Sequence, residues 1–168
     1  LTPLDWSSRD AMAIQRDQII RAALALLDER GLDGMTLRRL AEKLDIQAPS
    51  IYWHFANKQA LVEAMANALL EDVARDPAHG EAWRATLMRV CYELRRALKA
   101  RRDGARVLAA SYVVSDNVLR PGETMIGALL GAGATVDFAA TSAFSLFHYV
   151  LGLVTVEQSL GGDDGPVH

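Results

Sequence analysis

Side chains that can hold a phosphate group are concentrated in one short stretch of the chain. Arg38, Arg39, Lys43, His54 and Lys58 follow one another there, although the net charge of the whole protein is −3. A molecule with that net charge is not drawn to a polyanion as a whole, so any binding of nucleic acid has to be local. A solvated helical face is the alternative explanation of such a charge cluster.

Three helices are predicted to position these side chains. Apolar residues recur at helical spacing from residue 15 to residue 30, and Gly31 then ends the first helix. Thr36 can cap a short second helix that ends near Leu44. Pro49 suits the first turn of a third helix that runs to about His54 and is too short to be stable alone. Two short helices joined by a tight turn are typical of a helix-turn-helix.

The two ends of the third helix differ in size and chemistry. Its leading end carries small or polar residues, namely Gln47, Ala48, Pro49 and Ser50. A helix that enters the DNA major groove needs such an end, because its backbone must come close to the base edges. Tyr52, His54 and Lys58 follow, and their polar groups can reach phosphate oxygens without reading sequence. The stretch therefore predicts a DNA-binding surface.

Further contacts are predicted for residues close to this surface. Arg38 could reach a guanine edge with its two-pronged fork, a contact worth about 1–3 kcal/mol in discrimination. Arg39 fits either a solvated helical face or a phosphate contact. Trp53 fits either the rim of the groove or packing, whereas Phe55 is expected in the core. The predicted DNA-binding residues are Thr36, Arg38, Arg39, Gln47, Ala48, Pro49, Ser50, Tyr52, Trp53, His54 and Lys58.

The segment TLRRLAEKLDIQAPSIYWHFANK, residues 36–58, resembles the DNA-binding region of the tetracycline repressor family. The match rests on the spacing Tyr-x-His-Phe-x-x-Lys-x-x-Leu, which ends at Leu61. The resemblance implies a transcriptional regulator, a repressor released from its operator by a small-molecule effector. It also implies a homodimer on near-palindromic double-stranded DNA. Asp45 stands where the family usually has a turn glycine, and Asp tolerates the left-handed conformation better than most residues.

The remainder of the chain predicts helices only. We expect a connecting helix in 59–76, an effector-binding and dimerisation domain in 80–160 and a flexible tail in 161–168, after an N-terminal arm and DNA-binding domain in 1–58. Pro121 is expected to begin one helix. Another, from Val136 to about Ser159, is apolar on nearly all sides and should be buried in a core or against a partner. The fold class is therefore all-α, with a three-helix DNA-binding domain followed by a helical ligand-binding and dimerisation domain.

The C-terminal half carries Trp83, the Arg-Asp-Gly-Ala run at 102–105, and the stretch 148–152 followed by Glu157 and Gln158. With these residues it resembles the tetracycline-responsive member after which the family is named. Leu108 and Val156 stand where that repressor has a metal-binding histidine and glutamate, and neither side chain can bind Mg²⁺. We therefore expect no metal, no cofactor and an effector other than tetracycline, largely apolar in character. His148 alone fits a satisfied core histidine as well as a ligand contact. The predicted effector residues are Tyr92, Leu108, Ser111, Tyr112, Phe144, Ser145, His148 and Tyr149.

Composition limits the remaining classes. Cys91 is the single cysteine, which excludes an intramolecular disulfide and fits a cytoplasmic protein. No stretch approaches 18 unbroken apolar residues, so no membrane is expected. A small enzyme or a helical protein-interaction module without DNA binding is the alternative, but the chain has no His-x-x-x-His spacing and no Gly-rich phosphate loop. The resemblance also implies further bundle helices that complete a dimer surface. Either the natural protein is short, or residues are missing near the C-terminus and the dimer surface of this sequence is incomplete.

Overall fold

The computed structural model describes residues 6–76, 80–111 and 115–161, and these ranges contain helices and no strand. The all-α class is confirmed. In chain order the helices are α1 (Trp6–Gly34), α2 (Leu37–Leu44), α3 (Ala48–Tyr52), α4 (Lys58–Leu69), α5 (Trp83–Lys99), α6 (Gly104–Ala109), α7 (Asp116–Gly131) and α8 (Val136–Gly161).

Local backbone signals set the ends of the first helices. Gly31 has φ 68° and ψ 174°, which interrupts the regular part of α1 at the predicted stop. The hydroxyl of Thr36 accepts a hydrogen bond from the Arg39 backbone N–H at 3.2 Å and caps α2. Asp45 closes that helix with φ 53°, the left-handed conformation for which Asp is suited. These three residues fix the short connections that orient α2 and α3.

A continuous apolar core holds the two halves of the chain together. Ile51 and Phe55, which follow the predicted groove-facing tip, are 0% and 1% exposed. The same cluster includes Leu94 of α5 and Val154 of α8. The third helix is therefore docked on a core that also contains residues beyond position 80.

Charged groups join the end of α1 to the segment that leads into α6. Arg101 donates to the Asp28 carboxylate at 2.6 Å, and the Asp103 carboxylate accepts from the Leu32 backbone N–H at 2.8 Å. Arg106 pairs with Asp33 at 3.1 Å. We call residues 28–33 and 101–106 the α1–α6 junction. It fixes the base of the N-terminal half to the C-terminal half.

The junction is closely packed and is supported from α8. A Cβ atom built on Gly31 would lie 2.8 Å from the Asp103 carboxylate, so a side chain there would displace this contact. From the other side, the Gln158 amide donates to the backbone carbonyls of Leu98 and Arg101 at 3.1 and 2.8 Å. Its carbonyl accepts from the Ala105 backbone N–H at 3.1 Å. The junction therefore connects α1 with α8 through one short segment.

Several helix ends differ from the sequence-based expectation. Helix α1 begins at Trp6 instead of near residue 15, and α4 ends at Leu69 instead of near Val73. The start expected at Pro121 is wrong, because α7 begins at Asp116 and carries the proline inside it. Contacts with α4 hold the first turn of α7: the Asn117 amide donates to the Asn67 carbonyl at 2.9 Å. Tertiary contacts thus outweigh the preference of proline for the first helical turn.

Helix α8 is less buried than its composition predicts. Its buried residues are Ala139, Ala143, Val150 and Val154, whereas Phe138, Phe144, Tyr149, Val156 and Leu160 are more than half exposed. The core of this chain therefore buries only part of α8, and burial of its other sides against a partner stays a prediction. By length and composition α8 could also cross a membrane, since its most apolar 18-residue window has a mean hydropathy of 1.5 and is 22% buried.

Candidate nucleic-acid interface

Arg38 projects from the outer side of α2. Its side chain is 88% exposed, and its Nε atom donates to the Glu42 carboxylate one turn further along the helix at 3.1 Å. The two terminal nitrogens of the guanidinium take no part in that bond. They form the fork that could meet a base edge.

Arg39 points back toward the end of α1. Its guanidinium donates to the carbonyl of Gly34 at 2.7 Å. A cation that satisfies a carbonyl at a helix C-terminus also interacts favourably with the helix dipole. Arg39 therefore has a structural partner within the chain, and this contact is compatible with both a solvated helical face and a phosphate contact.

The tip of α3 is small and exposed. Gln47 precedes the helix as its N-cap residue with extended backbone, Ala48 is half-buried, and Pro49 lies in the first turn. Ser50 is exposed, whereas Ile51 behind it is fully buried. The helix begins one residue earlier and ends two residues earlier than expected. Buried Ile51 thus anchors the tip of α3, whose exposed residues have small side chains.

Larger side chains follow the tip. Tyr52 is 53% exposed and Trp53 is 88% exposed, which leaves the indole little contact with the rest of the described chain and favours the groove-rim interpretation. His54 is half-buried. Phe55 lies in the core, as expected, and the Arg16 guanidinium lies 5.0 Å from the centre of its ring. Two exposed aromatic side chains, Tyr52 and Trp53, therefore lie beside the tip.

Lys58 opens α4 at the other end of this surface. Its ammonium group donates to the Leu32 carbonyl at 3.2 Å, and the residue is exposed. The preceding Asn57 caps α4 by accepting from the Ala60 backbone N–H at 2.9 Å. An ammonium group has three donors, so one bond to a carbonyl leaves others for a phosphate oxygen.

Comparison with known proteins matches both halves of this arrangement. The family model described as bacterial regulatory proteins, tetR family, matches residues 19–65, and the model described as the tetracyclin repressor-like C-terminal domain matches residues 76–165. The chain belongs to the tetR family. It is a ligand-responsive, DNA-binding transcriptional regulator and not an enzyme.

Individual tetR-family proteins agree over most of the chain. The class C tetracycline repressor of Escherichia coli is 36% identical over 152 residues, which cover 89% of this chain and 69% of that protein. A single-substitution variant of TetR from Acinetobacter baumannii AYE, solved in complex with minocycline, has a TM-score of 0.81 at 38% identity. The match covers 88% of this chain and 83% of that TetR chain. BioQ, solved with its natural double-stranded DNA operator, has a TM-score of 0.78 at 36% identity. The match covers 86% of this chain and 87% of the BioQ chain.

The predicted effector residues lie in several different places within the tetR-family C-terminal domain. Leu108 is buried and Ser111 is half-buried, whereas Tyr92, Phe144 and Tyr149 are more than 60% exposed. Tyr112 lies outside the described residues. Among the described residues, this set is therefore divided between the core and the surface of the chain.

Part of this set does meet on α8. The Phe144 and His148 rings lie 3.9 Å apart between centroids, and the histidine Nδ1 lies 2.9 Å from the Phe144 carbonyl. Ser145 and Tyr149 are exposed on the same helix. His148 is itself exposed, so it is not a core histidine within this chain.

Two open grooves involve residues that the sequence did not single out as binding residues. One, of about 750 Å³, lies between α1 and α4 and includes Arg21, Asn67 and Ser115. The other, of about 720 Å³, runs along α5 beside Tyr92 and is lined by Arg96 and Lys99. Only the second contains a predicted effector residue. The first groove depends on how separate helices meet, so spacing along one element does not predict it. The second follows one side of α5, but whether that side is open depends on which sides the other helices cover.

Proposed function

We propose that this regulator represses transcription by placing the tip of α3 in the major groove of its operator. The observation that carries the proposal is the exposed surface formed by Arg38, Tyr52 and Trp53 around a tip of small residues that is anchored by buried Ile51. An exposed tip of that size can approach base edges, and the larger groups behind it can reach the backbone. The operator complex of BioQ supports the same use of the fold.

Each residue of the interface has a proposed role. Arg38 contacts a guanine edge. Residues 47–50 allow close approach, and Thr36, Arg39 and Trp53 border the groove. Tyr52, His54 and Lys58 bind phosphate oxygens and contribute affinity to every sequence alike.

The protein acts as a homodimer on a near-palindromic operator whose half-sites lie about one helical turn apart or slightly more. The exposed apolar face of α8, with Phe138, Tyr149 and Leu160, supports an interface with a partner. This face explains the apolar composition of α8 without a membrane. We place the protein in the cytoplasm, where operator DNA is found.

The effector is a small, largely apolar molecule that binds in the domain formed by residues 80–160, with the DNA-binding part in 1–58 and a connecting helix in 59–76. Leu108 and Val156 support an effector bound without a metal chelate. A relative binds minocycline, but the side chains of this chain favour a different ligand. Effector binding changes the separation of the two DNA-binding parts through a difference in affinity between two states.

The test is selection of bound duplexes from random-sequence DNA, followed by titration of the selected duplex at several salt concentrations. We expect a near-palindromic consensus and a steep fall of affinity with salt, because phosphate contacts release counterions. Failure to enrich any sequence, with the protein folded and dimeric, would contradict the proposal. A thermal-shift screen of apolar compounds then searches for the effector.

A further inference from the structure

We propose that Glu42 is a specificity-determining residue, because it positions the guanidinium of Arg38 for one base pair of the operator. This inference rests on the proposed function. Glu42 lies four residues after Arg38 on α2, and its Oε1 accepts from the Arg38 Nε at 3.1 Å. Residues four apart on a helix are neighbours, so the pair forms within one rigid element.

The geometry of this bond selects how Arg38 can meet DNA. The carboxylate occupies Nε and leaves the two terminal nitrogens as a parallel pair of donors. Guanine presents two acceptors, O6 and N7, in the major groove, and no other base does so. Because Nε already donates to Glu42, an end-on approach lets the two terminal nitrogens donate to guanine O6 and N7. A free arginine side chain would instead keep many rotamers and could turn to a phosphate.

The charge of Glu42 gives the pair a second effect. A carboxylate near the DNA backbone repels phosphates, and it therefore lowers affinity for all sequences while it orders the base-reading side chain. Such a residue lowers the affinity for all DNA sequences and increases the discrimination between the operator and other sequences. Both side chains are exposed, at 88% for Arg38 and 60% for Glu42, so the pair adds little to folding.

Other cations of this surface have different partners. Lys43 pairs with Glu29 at 2.6 Å, and Arg39 donates to the Gly34 carbonyl. Glu29 is therefore a matched control: it is an exposed carboxylate in the same part of the chain that pairs with a lysine and not with Arg38.

The experiment uses the duplex selected by the wild-type protein. Arg38→Ala first identifies the base pair that Arg38 reads, through a loss of discrimination between about 5-fold and about 160-fold. Glu42→Ala is then measured on the operator, on its three substitutions at that base pair and on random-sequence DNA. We expect discrimination to fall by about 1.5-fold to 5-fold, the range of an exposed ion pair. Binding to random-sequence DNA should stay equal or become tighter.

Three comparisons decide the outcome. Glu42→Gln should keep part of the discrimination because it retains an acceptor, and Glu29→Gln should leave discrimination unchanged. In the Arg38→Ala background, Glu42→Ala should have no further effect at that base pair. The inference is overturned if Glu42→Ala leaves discrimination unchanged, or if it alters preference at a different base pair, since Glu42 would then read a base itself. Absence of any selected duplex would instead contradict the proposed function.

Discussion

The DNA-binding surface and the effector region are built in different ways. The first is made by α2, α3 and the start of α4, which follow one another within residues 36–58, and its groups stand exposed beside buried anchors such as Ile51. The second draws its candidate residues from α5, α6 and α8, and several of them face outward. A site carried by one contiguous segment can be inferred from local sequence, whereas a site shared by distant helices depends on how those helices pack.

The largest expected effect concerns the anchor of the DNA-binding surface. Ile51→Ala removes a fully buried side chain and should lower the free energy of unfolding by about 2–5 kcal/mol, with loss of DNA binding. Chemical denaturation measures the change. Tyr52→Ala is the control, because its half-exposed side chain should leave stability nearly unchanged while binding to all sequences weakens. Equal loss of stability in both variants would break the distinction between anchor and surface.

The next effect separates base reading from phosphate binding within that surface. Arg38→Ala should cost about 1–3 kcal/mol of discrimination at one base pair. Lys58→Ala should weaken binding to all sequences and reduce the slope of log affinity against log salt by about 1. Competition binding with substituted duplexes at three salt concentrations gives both quantities. The assignment of Arg38 is wrong if Arg38→Ala changes neither affinity nor preference.

A comparable effect is expected at the α1–α6 junction, where the N-terminal and C-terminal halves of the chain meet. Asp103→Ala removes the acceptor of the Leu32 backbone N–H and one partner of Arg106, which should cost about 1–3 kcal/mol of stability. Asp33→Ala is the matched control, since its exposed pair with Arg106 should contribute less than about 1 kcal/mol. Thermal unfolding followed by calorimetry compares the two. If the Asp33 change costs more stability, the half-buried contact between Asp103 and the Leu32 backbone is not the main support of the junction.

The smallest effect is a pH dependence within the C-terminal half. Hydrogen bonds from Arg95 and then Lys99 lower the pKa of Glu157. Because the pKa is lower in the folded chain, the stabilisation is present above the unfolded value of about 4.3 and is lost as the pH falls through the folded pKa. Glu157→Gln should therefore lose less stability than the wild-type chain between about pH 5 and pH 3. Identical acid unfolding curves, once aligned at neutral pH, would contradict this.

The sequence predicts the features of this fold that depend on single residues in their local context. Gly31, Asp45 and Thr36 each adopt the conformation or make the cap that their chemistry favours. The start of α7 could not be predicted in the same way, because contacts of Asn117 with Asn67 outweigh the local preference of Pro121.

The candidate sites show the same limit. Exposure of Tyr52 and Trp53 follows from a short helix whose apolar residue is buried, but the exposure of Phe144 and Tyr149 depends on which side of α8 the other helices cover. The spacing of four residues between Arg38 and Glu42 is typical of a helical ion pair, but spacing alone does not show which guanidinium nitrogen the carboxylate binds.

Gly31 and Asp103 form a matched pair across 72 positions of sequence, since the carboxylate occupies the space next to a residue without a side chain. Neither can change alone without loss of that fit. A chimera that joins these first 76 residues to the C-terminal half of another regulator should therefore pack closely here only when the donor half supplies a side chain that fits beside Gly31. The choice of halves to recombine then has to satisfy this junction as well as the shared apolar core.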